Sequence, residues 1–138
     1  MLSSIRVASP DDFPFLSRED HHINAAMQAR KVAAGEILIA YHADEPVGYL
    51  RYGYFWDSVP FMNLLKVVAP WRKQRIGRQL VTYWEAEMQR AGYEMVMTST
   101  LANEDGQHFY RRLGYQDIGG FVLPAEPLEL FLVKYLKG

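Results

Sequence analysis

The segment with the clearest chemical character is a basic turn between an apolar stretch and an amphipathic one. Four cationic side chains fall within seven residues: Arg72, Lys73, Arg75 and Arg78. The apolar run Leu64 to Val68 predicts a strand before the turn, and helical spacing begins near Ile76. Free N–H groups at a helix start, the helix dipole and nearby cations together predict a polyphosphate site. A solvated basic turn that caps a helix is the alternative.

The glycine content of this turn excludes two common phosphate-binding loops. The loop of nucleoside triphosphatases needs two glycines separated by four residues, then Lys and Ser or Thr, and no such run is present. The dinucleotide fingerprint needs three glycines, whereas this turn carries only Gly77. The phosphate carrier must therefore be recognised by another kind of loop.

A second informative segment runs from Asn103 to Tyr115. Asn103 is predicted to cap a helix, and Gly114 suits the left-handed position that ends one. Tyr110 lies on the apolar face of this helix, which also carries Gly106, Phe109 and Leu113. The Tyr110 side chain is therefore predicted to point inward, where its hydroxyl needs a hydrogen-bond partner.

In this order, the two segments resemble the GCN5-related N-acetyltransferase (GNAT) superfamily. The family's loop has Arg or Gln, two residues, Gly, one residue, then Gly or Ala; Arg72 and Gly77 match it, while Arg75 replaces the first glycine. The family's later motif is an Asn followed by a helix ending in Phe-Tyr-x-x-Leu-Gly-Tyr or Phe, which Asn103 to Tyr115 matches. The resemblance extends from Ile5 to the last predicted strand.

The elements that position these segments are predicted from periodicity and turn residues. The predicted strands are Ser4 to Ala8, Glu36 to Ala43, Val47 to Trp56, Phe61 to Val68, Met95 to Thr100, Gln116 to Val122 and Leu128 to Tyr135. The predicted helices begin at Pro10, span Asn24 to Ala34 and Gly77 to Ala91, and follow Asn103. The apolar run Phe61 to Val68 predicts a strand covered on both faces.

For the fold, the resemblance implies a single α/β domain over residues 1–138. Its central sheet is expected to be mixed but mostly antiparallel, with six to seven strands and helices on both faces. In the resembled fold the strands matching Phe61 to Val68 and Met95 to Thr100 splay apart, and an acyl-pantetheine arm fills the gap.

The resemblance implies acetyl-CoA as the acetyl donor. Main-chain groups of Val67 and Val68 are then expected to bind the pantetheine and the thioester carbonyl, and Asn103 the pantetheine arm, in addition to capping its helix. Tyr110 is expected to contact the cofactor and act as general acid on the departing thiolate, against the alternative of an ordinary core tyrosine. The pyrophosphate is assigned to the loop residues Arg72, Lys73, Gln74, Arg75, Ile76, Gly77 and Arg78.

An aromatic strand face indicates where an amine acceptor would bind. Tyr52, Tyr54 and Trp56 are predicted to share one face, which suits cation–π contact with an ammonium group. Such a stripe is also typical of a core or a dimer interface. We favour a small-molecule amine over a protein lysine or N-terminus, with Glu126 and Glu129 as sources of negative charge.

The general base is left open by the sequence. Many family members use a carboxylate on the fourth strand, where this chain has Asn63 and Lys66. The alternatives are a water relay and the side chains His22, Asp57, Glu126 and Glu129. We predict no metal at Asp20-His21-His22, because two adjacent ligands lack a third and fourth.

Composition narrows the class of protein. The 138 residues carry a formal charge of −1 and no cysteine, which excludes disulfides, thiolate metal sites and a cysteine nucleophile. No apolar signal or membrane-spanning run is present, and the charge gives no reason to expect nucleic-acid or membrane binding. We therefore expect a cytoplasmic protein, and the resemblance implies that it is an N-acetyltransferase. The strand aromatics suggest a homodimer. A catalytically silent acyl-CoA-binding sensor or partner subunit is the alternative, and a longer acyl chain is a third.

Overall fold

The computed structural model describes residues 4–137, which form seven strands and four α-helices. The N-terminal segment predicted to lack a signal core begins at Met1, and its first three residues lie outside that range. The strands are β1 (Ser4–Val7), β2 (Ile37–His42), β3 (Glu45–Phe55), β4 (Val59–Val67), β5 (Met95–Leu101), β6 (Gln116–Phe121) and β7 (Glu129–Tyr135). The helices are α1 (Phe13–Glu19), α2 (Ala25–Ala33), α3 (Ile76–Arg90) and α4 (Gly106–Arg112).

All seven strands belong to one sheet with the order β1-β2-β3-β4-β5-β7-β6. Strand β2 pairs antiparallel with β1 and β3, and β7 pairs antiparallel with β5 and β6. Strand β4 runs parallel to β5, with Phe61 opposite Met97 and Met62 opposite Thr98. The predicted mixed, mostly antiparallel α/β sheet is confirmed. None of the helices in residues 4–137 combines the length and apolar character needed to cross a bilayer.

The described residues group into two compact units. Unit 1 comprises the described part of Met1–Tyr52 together with Leu64–Trp84. On one face of β3, Phe15 of α1 packs edge-on against Tyr49, with ring centroids 6.0 Å apart. Tyr52 lies three residues further along the strand, so it points to the opposite face, where it packs at 5.7 Å against Trp84 of α3. Helices therefore cover both faces of β3 within unit 1.

Unit 2 comprises Gly53–Asn63 and the described residues from Glu85 onward. Here α4 contacts β5, and the buried Tyr115 donates a hydrogen bond of 2.8 Å to Glu85. Gly114 has a φ of +97°, and the Tyr115 N–H reaches back to the Tyr110 carbonyl at 3.0 Å. The predicted glycine-terminated end of this helix is confirmed. Strand β6 is exposed along its whole length.

Strand β3 ends one residue earlier than predicted because the chain turns sharply at Trp56. Trp56 and Asp57 have φ values of 56° and 58°, and the Ser58 N–H donates to the Phe55 carbonyl at 3.1 Å. Two consecutive left-handed residues form the kind of two-residue turn that matches the twist of a hairpin. The prediction that Trp56 continues the strand alternation of Tyr52 and Tyr54 is therefore wrong.

Helix α4 begins three residues after the predicted cap. Its N-cap is Asp105, and Asn103 lies inside a turn closed by the Glu104 N–H on the Leu101 carbonyl at 3.0 Å. The Glu104 carboxylate strengthens that turn by accepting from the Leu101 N–H at 3.2 Å. The prediction that Asn103 caps the helix is wrong, because this local turn takes precedence over the cap.

Strand β4 is less covered than its apolar sequence predicted. Leu64 and Val68 pack against the core cluster that contains Phe15 and Tyr49. The alternating residues Leu65 and Val67 keep part of their surface in solvent, and Asn63 is exposed. The prediction of a strand buried on both faces is wrong, because the residues in the second half of β4 are exposed or half-buried.

Candidate active site

The basic turn before α3 adopts a conformation suited to binding an anion. Lys73 and Arg75 have φ values of 63° and 65°, both left-handed, and Arg75 directly precedes the helix. The bond from the Gln79 N–H to the Arg75 carbonyl measures 3.0 Å. The N–H groups of the three preceding helical residues, Ile76 to Arg78, thus have no acceptor within the helix. A left-handed residue followed by a right-handed one directs successive N–H groups to one side, which is the geometry of an anion-binding nest.

Arg75 takes a left-handed backbone conformation that glycine adopts without strain. Its φ of 65° lies in the region that residues with a Cβ rarely adopt. Arg75 therefore holds this conformation at an energetic cost of the order of 1–2 kcal/mol. The side chain is exposed, so its charge remains available near the predicted phosphate position.

This strain gives a testable expectation for Arg75→Gly. We expect the variant to raise the free energy of unfolding by about 1 kcal/mol, because glycine adopts the left-handed region without the steric penalty. Urea denaturation of the wild type and the variant would measure the difference.

Arg78→Gly serves as the control, because position 78 lies inside α3. There glycine should lower the free energy of unfolding by about 1 kcal/mol. A loss of stability in both variants would show that the Arg75 side chain contributes more than its backbone strain costs.

Arg72 connects the basic turn to the end of β4. Its Nε donates to the Val67 carbonyl at 2.9 Å. The Val68 N–H donates to the Val47 carbonyl at 2.9 Å, so this donor is already used within the sheet. The Val68 N–H is therefore not available to a thioester carbonyl, which leaves the Val67 N–H as the expected donor.

The remaining residues of the turn divide into charged and structural positions. Lys73 and Arg78 are charged, and like Arg75 they keep part or all of their surface in solvent, whereas Ile76 is buried in the core. The Gln74 amide donates to the Pro70 carbonyl at 3.5 Å, and the Trp71 ring lies 4.6 Å from that of His42. Three exposed cationic side chains are thus carried by the same turn as the free N–H groups of the helix start.

Tyr110 is a buried side chain of unit 2, with 8% of its surface exposed. Its hydroxyl donates a hydrogen bond to the Met62 sulfur at 4.0 Å. Burial raises the pKa of Tyr110 to about 12; the Thr98 hydrogen bond acts to lower it, and the Glu104 charge adds to the rise. Thr98 also donates to the Met62 carbonyl at 3.0 Å. The predicted inward orientation of Tyr110 is confirmed by its burial.

The close approach of α4 to β5 depends on Gly106. A Cβ at this position would lie 3.0 Å from the Thr100 hydroxyl and 3.8 Å from the Tyr110 ring. A side chain at this position would therefore require the Thr100 hydroxyl to move by a few tenths of an ångström, whereas its contact with the Tyr110 ring would be an ordinary van der Waals contact.

The three aromatic residues predicted to line the acceptor site have different surroundings. Tyr52 belongs to the core of unit 1, and its hydroxyl lies 3.4 Å from the Gly35 carbonyl. Tyr54 packs against Tyr93 in unit 2, with ring centroids 5.8 Å apart. Trp56 is 81% exposed and lines a cavity of about 380 Å³ in unit 2. Tyr52 is thus buried, Tyr54 half-buried and Trp56 exposed.

The polar contacts of this region were not foreseen from the sequence. Thr98 carries no motif, and the buried ion pair of Arg51 with Asp20 joins residues 31 positions apart. Sequence spacing gives no signal for such pairs.

Among the candidate bases, His22 lies beside Asp20, and Asp57 and Glu126 are exposed while Glu129 is half-buried. No group of three or more His, Cys, Asp or Glu side chains suited to a metal occurs in the part of the chain that the structure describes.

A family model described as an acetyltransferase (GNAT) domain matches residues 33–117. This range contains the whole basic turn, Asn103 and Tyr110, and it spans more than half of the chain. The chain belongs to the GNAT acetyltransferase family. A search of curated proteins gave no significant match.

Solved GNAT-like structures share the fold at low sequence identity. Ard1 from Thermoplasma volcanium is 14% identical with a TM-score of 0.82, and 98% of each chain is covered. Naa50 from Arabidopsis thaliana, in complex with the bisubstrate analogue CoA-Ac-MVNAL, is 18% identical with a TM-score of 0.75 over 95% of this chain and 97% of that one. The ribosomal-protein-S18-alanine N-acetyltransferase of Escherichia coli is 14% identical, with a TM-score of 0.76 over 100% and 97%. At these identities the likeness establishes the GNAT fold of this chain.

Proposed function

We propose that this GNAT protein is an acetyl-CoA-dependent N-acetyltransferase that acetylates a primary amine of a small molecule. The observation that carries the proposal is the turn from Lys73 to Arg78. It combines two left-handed residues, the free N–H groups of a helix start and exposed cations. A diphosphate ester supplies the charge and the acceptor oxygens that such a turn binds. Coenzyme A carries this group, and the family to which the chain belongs consists of acetyltransferases.

The residues take distinct roles in this proposal. The main-chain N–H groups from Lys73 to Arg78 hold the pyrophosphate, and Arg72 fixes the turn through the Val67 carbonyl. The Val67 N–H donates to the thioester carbonyl, where negative charge develops as the amine attacks; one such donor contributes a few kcal/mol to the rate. Asn103 binds the pantetheine arm.

Tyr110 is proposed to act on the departing sulfur. With its pKa raised to about 12 by burial, the hydroxyl is protonated at neutral pH and available as a donor. Complete transfer of its proton to a thiolate with a pKa near 8.5 is opposed by roughly 5 kcal/mol. The larger part of its effect is therefore a hydrogen bond that stabilises the charge developing on the sulfur.

A small amine is supported by the size and lining of the cavity beside Trp56. Its volume of about 380 Å³ falls in the range of small-molecule sites, and its walls are mainly apolar and aromatic. An aromatic face favours an ammonium group through its quadrupole. Glu126 and Glu129 are at least partly exposed and could supply negative charge. The Naa50 complex with a peptide-containing analogue makes a peptide N-terminus the competing acceptor.

A catalytically silent acyl-CoA-binding module is the second candidate. It is favoured by Asn63, which is exposed on β4 where many family members have a carboxylate.

We also propose that the protein is cytoplasmic and forms a homodimer. The dimer is supported by large exposed apolar side chains of unit 2 that do not line the cavity beside Trp56, namely Phe121, Val122 and Leu128.

Thiol release and thermal denaturation together test the proposed function. We expect acetyl-CoA to raise the melting temperature through the linkage of binding to folding. We also expect thiol release from acetyl-CoA with at least one of spermidine, tyramine and glycinamide, at a higher kcat/KM than with the peptide MVNAL. A raised melting temperature without turnover on any acceptor would support the silent module instead. The absence of any thermal shift would contradict acetyl-CoA binding itself.

A further inference from the structure

Gly48 on β3 lies directly against the main chain at the end of β4. A Cβ at this position would lie 2.9 Å from the Lys66 carbonyl oxygen and 3.5 Å from the Val67 Cα. It would also lie 3.4 Å from the Leu80 side chain of α3. All four residues belong to unit 1. The missing side chain at Gly48 therefore provides the space that the end of β4 occupies.

The position of the Lys66 carbonyl also sets the direction of the Val67 N–H, because both groups belong to one peptide unit. No peptide bond in residues 4–137 is cis, and in a planar trans peptide the C=O and N–H bonds point in opposite directions. The Lys66 oxygen is the atom nearest to the Cβ position of Gly48, so this carbonyl faces β3. The Val67 N–H therefore faces away from β3, unlike the Val68 N–H, which donates to the Val47 carbonyl.

The peptide unit between Lys66 and Val67 is held from other directions as well. The Lys66 ammonium donates to the Glu19 carbonyl at 3.0 Å and lies 3.3 Å from the carboxylate of the same residue. The Val67 carbonyl accepts from Arg72 Nε at 2.9 Å. A Cβ at Gly48 would thus have to displace main chain that is anchored on both sides, whereas a flexible side chain could turn aside.

Gly48 also adjoins α3, the helix that follows the basic turn. Leu80 is fully buried and lies about one turn after Ile76, where α3 begins. Arg72 joins the basic turn to the Val67 carbonyl. The two groups that the proposed function assigns to acetyl-CoA, the Val67 N–H and the N–H groups of the turn, are therefore both connected to the position of Gly48.

We propose that Gly48 is a positioning residue for the acetyl transfer, which rests on the proposed N-acetyltransferase function. Its missing side chain lets the Lys66 carbonyl face β3, and this directs the Val67 N–H to the thioester carbonyl. As the amine attacks, negative charge develops on that carbonyl oxygen, and a fixed N–H stabilises the charge only from the correct direction. Gly48 itself takes no part in the bonds that form or break.

The carbonyl stretch of bound acetyl-CoA tests this role without turnover. Acetyl-CoA with an isotope label at the acetyl carbonyl is bound to the full chain, and its stretching band is measured by difference infrared spectroscopy. A hydrogen bond weakens the C=O bond and lowers the frequency of this band. In Gly48→Ala we expect the band at a higher frequency than in the wild type, because the Val67 N–H is turned from the thioester carbonyl.

Gly48→Ala should also separate turnover from cofactor binding. With the amine of the panel above that gives the fastest thiol release, we expect kcat to fall roughly 10²-fold, as for the loss of one oxyanion donor. Coenzyme A lacks the acetyl carbonyl, so its affinity, measured by calorimetry, should change much less than kcat. The double variant Gly48→Ala with Lys66→Met guards against poor folding, because loss of the Lys66 ammonium frees the main chain from Glu19. Compared with Lys66→Met alone, it should show the same fall in kcat.

Gly35→Ala is the matched control in unit 1. Gly35 has a φ of +73°, so alanine is strained there, but its Cβ would meet only the Val7 side chain, at 3.9 Å. This variant should lower the melting temperature and keep the wild-type kcat and carbonyl frequency. Wild-type kcat in Gly48→Ala, or an equal loss of kcat in Gly35→Ala, would overturn the role of Gly48. Binding of acetyl-CoA without any turnover in the wild type would contradict the proposed function, whereas an unchanged band in Gly48→Ala would contradict the role of Gly48 alone.

Discussion

Removal of the Tyr110 hydroxyl should reduce turnover without weakening coenzyme A binding. We expect Tyr110→Phe to lower kcat roughly ten-fold to a thousand-fold, because the variant loses the donor to the departing sulfur while it keeps the ring. The Phe109, Tyr110 and Tyr115 rings pack edge to face at 5.2 and 5.6 Å, and phenylalanine preserves these contacts. Steady-state kinetics and calorimetric titration with coenzyme A measure the two effects separately.

Tyr115→Phe is the matched control for this prediction. Tyr115 is also buried in unit 2, but its hydroxyl donates to Glu85 at 2.8 Å. The same chemical change at position 115 should lower the free energy of unfolding by about 1–2 kcal/mol, since it removes a hydrogen bond to a charged group. Its kcat should remain that of the wild type. An unaltered kcat in Tyr110→Phe, or an equal loss of kcat in both variants, would show that the role of Tyr110 is structural.

The direction of the Tyr110 pKa shift also fixes how this residue responds to pH. Its pKa in the folded state, about 12, lies above the ordinary tyrosine value of 10.0. The contribution of the neutral hydroxyl to stability is thus complete below about pH 10 and is lost as the pH rises through 12. Any basic limb of the activity profile below about pH 10 must come from another group.

The sequence predicted the fold and the phosphate turn because both depend on local patterns. Alternating and helical periodicities located all seven strands and all four helices to within about three residues. The helical spacing that begins near Ile76 is that of α3, whose residues Ile76, Leu80, Trp84 and Met88 are all buried. Gly114 ends α4 as predicted, because its left-handed φ is a local requirement.

The errors arose where short-range hydrogen bonds compete with a regular element. Asn103 is a residue type that often caps helices, but here it lies in a turn that the Glu104 carboxylate closes by accepting from the Leu101 N–H. Tryptophan is a residue type that favours strands, but Trp56 lies at the tip of the β3–β4 hairpin, which needs left-handed residues. Propensity alone does not decide between two local structures that both suit the residue.

The polar partners could not be predicted because they are distant in sequence. Thr98 meets Tyr110 only after β5 and α4 have packed together, and Lys66 meets Glu19 across 47 positions. The same holds for the contact between Arg51 and Asp20 that orients the loop of His22. Residue type left several candidate bases open, and spacing along the sequence gave no signal for the partners that each of them has in the fold.

Loss of the Arg51 charge should destabilise the protein more than any of the substitutions above. Arg51 is 7% exposed and pairs with Asp20, which is 1% exposed, at 2.8 Å. Arg51→Leu leaves a buried carboxylate without its cation, which costs about 3–5 kcal/mol. For a chain of this size we expect a fall in melting temperature of about 10–20 °C, measured by calorimetry.

Two further variants separate the charge effect from loss of packing. In the double variant Asp20→Asn with Arg51→Leu no buried charge remains unpaired, so the loss of stability should be smaller than the sum of the two single losses. The exposed pair of Arg111 with Asp117, at 2.7 Å, is the surface control, and Asp117→Asn should change stability little because solvent already screens that pair. Strict additivity in the double variant would show that Arg51 stabilises unit 1 through its aliphatic stem. Sub-additivity would show that the charge of Asp20 is tolerated in the interior only because Arg51 neutralises it, and that the loop carrying His22 depends on the same pair.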